Sequence, residues 1–289
     1  MERLQQAIQR ARQERQGSIG NVPSINERSS DHTANLQNSL PAASTGAIGN
    51  GFSSGQNEPV VPLGPIEYSQ TRVVQLDEEH IETNRIIAGS SEDERVEAYR
   101  QLRAQVLHTL EVNDWSTLAI TSPTKDAGKT LTSVNLAISL SKEVNHTVLL
   151  VDLDLTQPDV HSVLGVEAEY GLLDVLDGRV GVEQVLFNPD MQRLVVLPCR
   201  PTDEYSSEIL SSPEMNALMQ EMKDRYKNRI IIFDLPPLLR NDDAIKFTPQ
   251  VDATLMVVEA GRTTPEELER ATHLMRNGNL IGTILNKTR

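Results

Sequence analysis

Ser122-Pro-Thr-Lys-Asp-Ala-Gly-Lys-Thr130 decides how this chain reads. An apolar run, Leu118–Thr121, leads into it, and an amphipathic stretch, Leu131–Lys142, follows it. A buried strand, a tight turn and a helix opening on Gly128-Lys129-Thr130 is the arrangement that phosphate binding requires. Backbone N–H groups of Lys125, Asp126, Ala127, Gly128, Lys129, Thr130 and Leu131 can wrap an anion, and the helix N-terminus points at it. Lys129 is the candidate for the β/γ-phosphates, and the Thr130 hydroxyl is the candidate Mg²⁺ ligand. The spacing predicts ATP and Mg²⁺ as ligands. Pro123 stands where the full phosphate-loop pattern has its first glycine. A helix start that carries Gly-Lys-Thr by chance is the competing reading.

Working outward, five more short apolar runs follow: Val148–Val151, Leu194–Leu197, Ile230–Phe233, Leu255–Val258 and Ile281–Leu285. Helical stretches at Pro213–Arg225 and Pro265–Asn277 lie among them. This alternation predicts an α/β fold, a mostly parallel sheet flanked by helices and buried on both faces. Ligands in such sheets sit beyond the carboxyl ends of the strands. Two runs end there in acids, Asp152-Leu-Asp154 and Asp234-Leu-Pro-Pro237. Beside a phosphate loop, Asp152 and Asp234 suit Mg²⁺ and its water, and Asp152 or Asp154 suits the orientation of an attacking nucleophile. Helix capping is the other use for an Asp at such a position.

The 289 residues suffice for one large α/β domain with appendages. Residues 67–289 read as that domain. Within 67–93, Val73, Val74, Leu76, Ile81, Ile86 and Ile87 form an apolar set expected to pack on it. Residues 17–66 are rich in Ser, Asn, Gly and Pro without apolar period, which predicts a disordered linker. Residues 1–16 read as a short amphipathic helix, with Leu4, Ala7, Ile8 and Ala11 at helical spacing. Helix and linker together read as a tether.

Net charge is -14, which argues against nonspecific binding to nucleic acid or anionic lipid. One cysteine, Cys199, excludes an internal disulfide, and its place after an apolar strand suits a buried inert thiol. No apolar run approaches the roughly 20 residues of a membrane helix. A cytoplasmic location follows as the expectation.

Together these motifs resemble the deviant-Walker P-loop ATPases, which include the chromosome-partitioning and septum-site ATPases. The likeness is greatest to the bacterial tyrosine autokinases of capsule and exopolysaccharide synthesis. Besides the loop and the two acidic strand ends, Gly171-Leu-Leu-Asp-Val-Leu176, Glu208-Ile-Leu-Ser-Ser212 and Asp243 fit that pattern, and Leu285-Asn286 sits where the family's Asn contacts adenine. Glu97, Arg100 and Arg103 resemble its oligomerisation motif; without the resemblance they read as a solvated helix flank. The resemblance implies a P-loop NTPase fold, with Lys129, Asp152 and Asp154 catalytic and Thr130, Asp152 and Asp234 at the metal. It further implies a homo-oligomer beside a membrane-embedded chain-length regulator, and tyrosine phosphorylation in polysaccharide export. The chain departs from the pattern at Lys125-Asp126, where the family has Pro-Gly, and its last tyrosine is Tyr226. A nucleotide-gated switch without kinase activity is therefore the alternative, with a partitioning ATPase behind it.

Overall fold

In the computed structural model, residues 71–90, 95–202, 206–225 and 228–288 are described. They fall within one unit, Val61–Arg289. The expected helix at 1–16 and linker at 17–66 lie outside the described residues.

Each of the six apolar runs becomes a strand, and two two-residue strands join them. The strands are β1 (Arg72–Val73), β2 (Thr117–Thr121), β3 (Thr147–Asp152), β4 (Phe187–Asn188), β5 (Leu194–Leu197), β6 (Arg229–Asp234), β7 (Ala253–Glu259) and β8 (Leu280–Asn286), with β1 and β4 the two short ones. They form one sheet in the order β1-β4-β5-β3-β6-β2-β7-β8. Every pairing is parallel except β4 with β5. β2 and β3 are buried along their whole length. Strands apolar on both faces need cover on both faces, and crossover helices supply it.

The helices begin where local chemistry lets them. Ser212 accepts from the Met215 amide ahead of Pro213–Asp224, and Thr264 forms a capping box with Glu267 ahead of Pro265–Leu274. Both helices place proline in the first turn, where its missing N–H costs nothing. The helix Lys129–Ser141 is different. Its residues from Thr132 onward are all buried, because it packs between the sheet and the long helix Val96–Asn113.

The N-terminal apolar set docks as expected at most positions. Ile86 is buried, and Val74, Leu76 and Ile81 pack against the core. Val73 instead stays 48% exposed, because β1 is a two-residue strand paired only to β4. Asn135, within the buried helix, fixes the segment that follows. Its Oδ1 accepts from the amides of Ile87 (2.8 Å) and Ala88 (2.9 Å), and its Nδ2 donates to the Arg85 carbonyl (3.2 Å).

The sheet order puts β2, β6 and β3 side by side. Asp152 and Asp234 are register partners at the carboxyl ends of β3 and β6. Ile120 of β2 is level with Asp234. The loop and both acids thereby reach one end of the sheet.

Candidate phosphate-binding and catalytic site

The loop after β2 is fastened on both sides. Thr121 Oγ1 donates to the Pro236 carbonyl (2.7 Å), and the Leu238 amide to the Ser122 carbonyl (2.8 Å). Asp126 then takes a left-handed backbone, φ +66°, which Asp tolerates better than most side chains. Gly128 follows at φ +90°. A Cβ there would lie 2.2 Å from Asn286 Nδ2, so only glycine fits. Gly128 caps the helix Lys129–Ser141 without a side-chain cap bond to the first-turn amides. The N–H groups of that turn are the ones a polyphosphate needs.

Lys129, on that turn, points its ammonium across the sheet end. Nζ lies 2.9 Å from Asp154 Oδ2 and 3.4 Å from Asp234 Oδ2. Burial would lower its pKa, but Asp234 and Asp154 outweigh burial and hold it above the ordinary lysine value. Thr130 Oγ1 donates to Asp234 Oδ2 at 2.7 Å, and Ser133 Oγ donates to Asp234 Oδ1 at 2.8 Å. Ser133 is not among the expected site residues. Its spacing of three from Thr130 puts both hydroxyls on one helix face, which was the available signal.

Asp152 and Asp234 are fully buried. Burial raises both pKa values, and the Asp234 charge raises Asp152 further. Asp152 accepts from the amides of Asp154 (3.2 Å) and Val160 (3.0 Å). It thus also supports the start of the short helix Val160–Val163, the capping use weighed for such an Asp. Asp154 Oδ1 accepts from Thr156 Oγ1 and the Gln157 amide, both at 3.1 Å. Among the described residues no three acidic side chains are grouped to hold a metal by themselves. The Thr130 hydroxyl and the Asp234 carboxylate it meets are oxygen donors of the kind Mg²⁺ prefers, with phosphates and water left to complete its shell. The burial that lifts Asp152 and Asp234 would be relieved by a divalent cation.

Other expected residues lie further out. Lys125 and Asp126 are exposed, and among the described residues no ion pair joins them. Leu131 is partly buried and packs on the core. Asn286 Nδ2 donates to the Ala127 carbonyl at 2.9 Å, so its amide braces the loop. Asp243 accepts from Ser206 Oγ (2.6 Å) and Asn241 Nδ2 (2.7 Å). Cys199 is buried, and burial pushes its thiol pKa up, as an inert thiol requires.

On the helix Val96–Asn113, Glu97 and Arg100 pair at 3.4 Å in solvent. Arg103 faces inward instead. Its Nη1 donates to the Ser139 carbonyl (3.0 Å), and its Nε lies 3.0 Å from Glu143 Oε1. It thereby satisfies a carbonyl in the last turn of the phosphate-loop helix.

A glycine-lysine-threonine helix start after β2, beside the adjacent acid-ended parallel strands β6 and β3, defines a P-loop ATPase. Comparison with known proteins agrees. A family model described as AAA domain matches residues 117–275. The tyrosine-protein kinase YwqD of Bacillus subtilis is 31% identical over 192 residues, which cover 66% of this chain and 80% of YwqD. The tyrosine-protein kinase ptk of Acinetobacter johnsonii is 25% identical over 209 residues, 72% of this chain but 28% of that protein. The chain therefore spans most of the first relative and little more than a quarter of the second. Among solved structures, the kinase domain of the Escherichia coli tyrosine kinase ETK superposes with a TM-score of 0.65 and 26% identity, covering 77% of this chain and 90% of that domain. The chain belongs to the bacterial tyrosine-protein kinase family.

Proposed function

We propose that this protein binds Mg-ATP at the loop 122–130 and transfers the γ-phosphoryl group to tyrosine, in the control of capsule or exopolysaccharide export. The cluster of Lys129, Thr130, Asp154 and Asp234 carries the reading. The first-turn amides and Lys129 would hold the phosphates. Thr130 and Asp234 would hold Mg²⁺, Asp234 through water, with Asp152 beside them. Mg²⁺ supplies charge neutralisation at the phosphates. Asp154, within reach of Lys129 and anchored by Thr156 and Gln157, would orient the accepting phenol and take its proton.

Asn286 lies against the loop and is the proposed adenine contact. Glu97 and Arg100 are exposed and free to meet a second copy, which supports a homo-oligomer. Among the described residues no helix is long and apolar enough to cross a membrane. A membrane-embedded partner that tethers a cytoplasmic kinase at the inner membrane fits that finding and the family.

The test is incubation with γ-labelled ATP and Mg²⁺, beside an Asp154→Asn variant, with phosphotyrosine and free phosphate both scored. Phosphotyrosine that disappears in the variant supports the kinase. Phosphate release without protein labelling would replace it with a nucleotide-gated switch.

A further inference from the structure

The end of β8 touches the phosphate loop at two consecutive carbonyls. Asn286 Nδ2 donates to the Ala127 carbonyl, and the neighbouring Lys287 Nζ donates to the Asp126 carbonyl. Lys287 is itself held, 3.3 Å from Glu259 Oε1 at the end of β7. Glu259 is register partner to Asn286, so the two strand ends form one brace. Lys287 takes a left-handed backbone, φ +57°, to make the contact. Such a conformation persists in a non-glycine residue only where its surroundings fix it.

Peptide geometry says what the brace does. In a trans peptide the carbonyl of one residue and the N–H of the next point in opposite directions. Drawing the Asp126 and Ala127 carbonyls towards β8 turns the N–H groups of Ala127 and Gly128 to the other side. That is the side on which an anion sits in a loop of this kind. Asp126 stands at a left-handed position without glycine's freedom, and it adds a negative charge near the phosphates. A lysine on its carbonyl answers both.

We infer that Lys287 is a positioning residue for polyphosphate: it locks the Asp126–Ala127 peptide so that the Ala127 and Gly128 amides face the nucleotide's phosphates, and it offsets the Asp126 charge. The inference rests on the proposed nucleotide site.

Two readouts test it on the full chain. The first needs no nucleotide. Backbone amide resonances of Ala127 and Gly128 should move in Lys287→Met and return towards wild type in Lys287→Arg, while the melting temperature stays within about 2 °C, as for a half-exposed contact. The second is titration with MgADP. Lys287→Met should weaken binding about fivefold, the loss of one charge-assisted contact, and Lys287→Arg should recover most of it. Unmoved Ala127 and Gly128 amides would overturn the inference. So would wild-type affinity in Lys287→Met, or a loss of affinity that only tracks a loss of stability. If wild-type protein binds no MgADP, the nucleotide reading fails, and the amide readout still decides the brace.

Discussion

Thr130 and Asp234 meet at 2.7 Å, a hydroxyl from the first turn of one helix on the carboxylate that closes a neighbouring strand. The contact crosses 104 residues of sequence and joins the phosphate loop to the second acidic strand end. Ser133 holds the other oxygen of the same carboxylate. Asp234 is thus fixed in orientation at both of its oxygens by one helix face.

That carboxylate shares its sheet end with Asp152, and the pairing has a pH consequence. Asp152 lies well above its ordinary value of 3.8, first through burial and then through Asp234. The folded state therefore binds this proton more tightly than the unfolded chain. Stability falls as pH rises from the unfolded value through the folded one. Asp152→Asn removes the buried charge and loses one backbone acceptor bond. Without nucleotide at pH 7.5, the variant should melt roughly 3–8 °C above wild type, about 1–2 kcal/mol. The gap should narrow as pH is lowered towards 4. A variant that melts below wild type at neutral pH would show that Asp152 carries no such burden.

Gly128→Ala should be among the most damaging small changes. The added Cβ would collide with the Asn286 amide, and φ +90° adds strain. A loss of about 2–3 kcal/mol and of MgADP binding is expected. Gly128→Ala with Asn286→Ala should recover part of the stability. Calorimetric melting of the two variants checks this, and equal instability in both would contradict the steric account.

Asn135→Leu should release the segment 85–88. It leaves the part-buried Ile87 amide and the buried Ala88 amide without their acceptor, a cost of about 2–4 kcal/mol for the pair. Hydrogen exchange at Ile87 and Ala88 should accelerate well beyond that of the sheet. Unchanged protection at both amides would show that the segment is held elsewhere.

The Glu97–Arg103 motif should divide into two behaviours. Glu97 and Arg100 are exposed, so Ala at either changes the melting point by less than about 2 °C. Arg103 holds Ser139 and Glu143, so Arg103→Ala should cost about 1 kcal/mol. Sedimentation of the variants tests the proposed assembly, which Glu97→Ala or Arg100→Ala should weaken.

Much of this was legible in the sequence because buried parallel strands are continuous apolar runs. Each of the six runs became a strand, extended by at most two residues at either end. The acids closing β3 and β6 were found by position alone. What escaped has physical reasons. β1 and β4 are two residues long and carry no period, so neither they nor the single antiparallel pairing could be seen. Asn135 reads as one of several polar residues in its helix, and its partners lie almost 50 positions away. Lys287 gives no local signal, since its meaning depends on a contact across 161 residues.

The proposed function turns on Mg-dependent nucleotide binding at Lys129–Asp234. Titration calorimetry of the wild type with ADP, in excess Mg²⁺ and then in EDTA, tests it beside Asp234→Asn. Removing Mg²⁺ should weaken wild-type binding at least about tenfold, and the variant should respond far less to Mg²⁺. Equal affinity with and without Mg²⁺, or an unaltered Mg²⁺ response in Asp234→Asn, would contradict it.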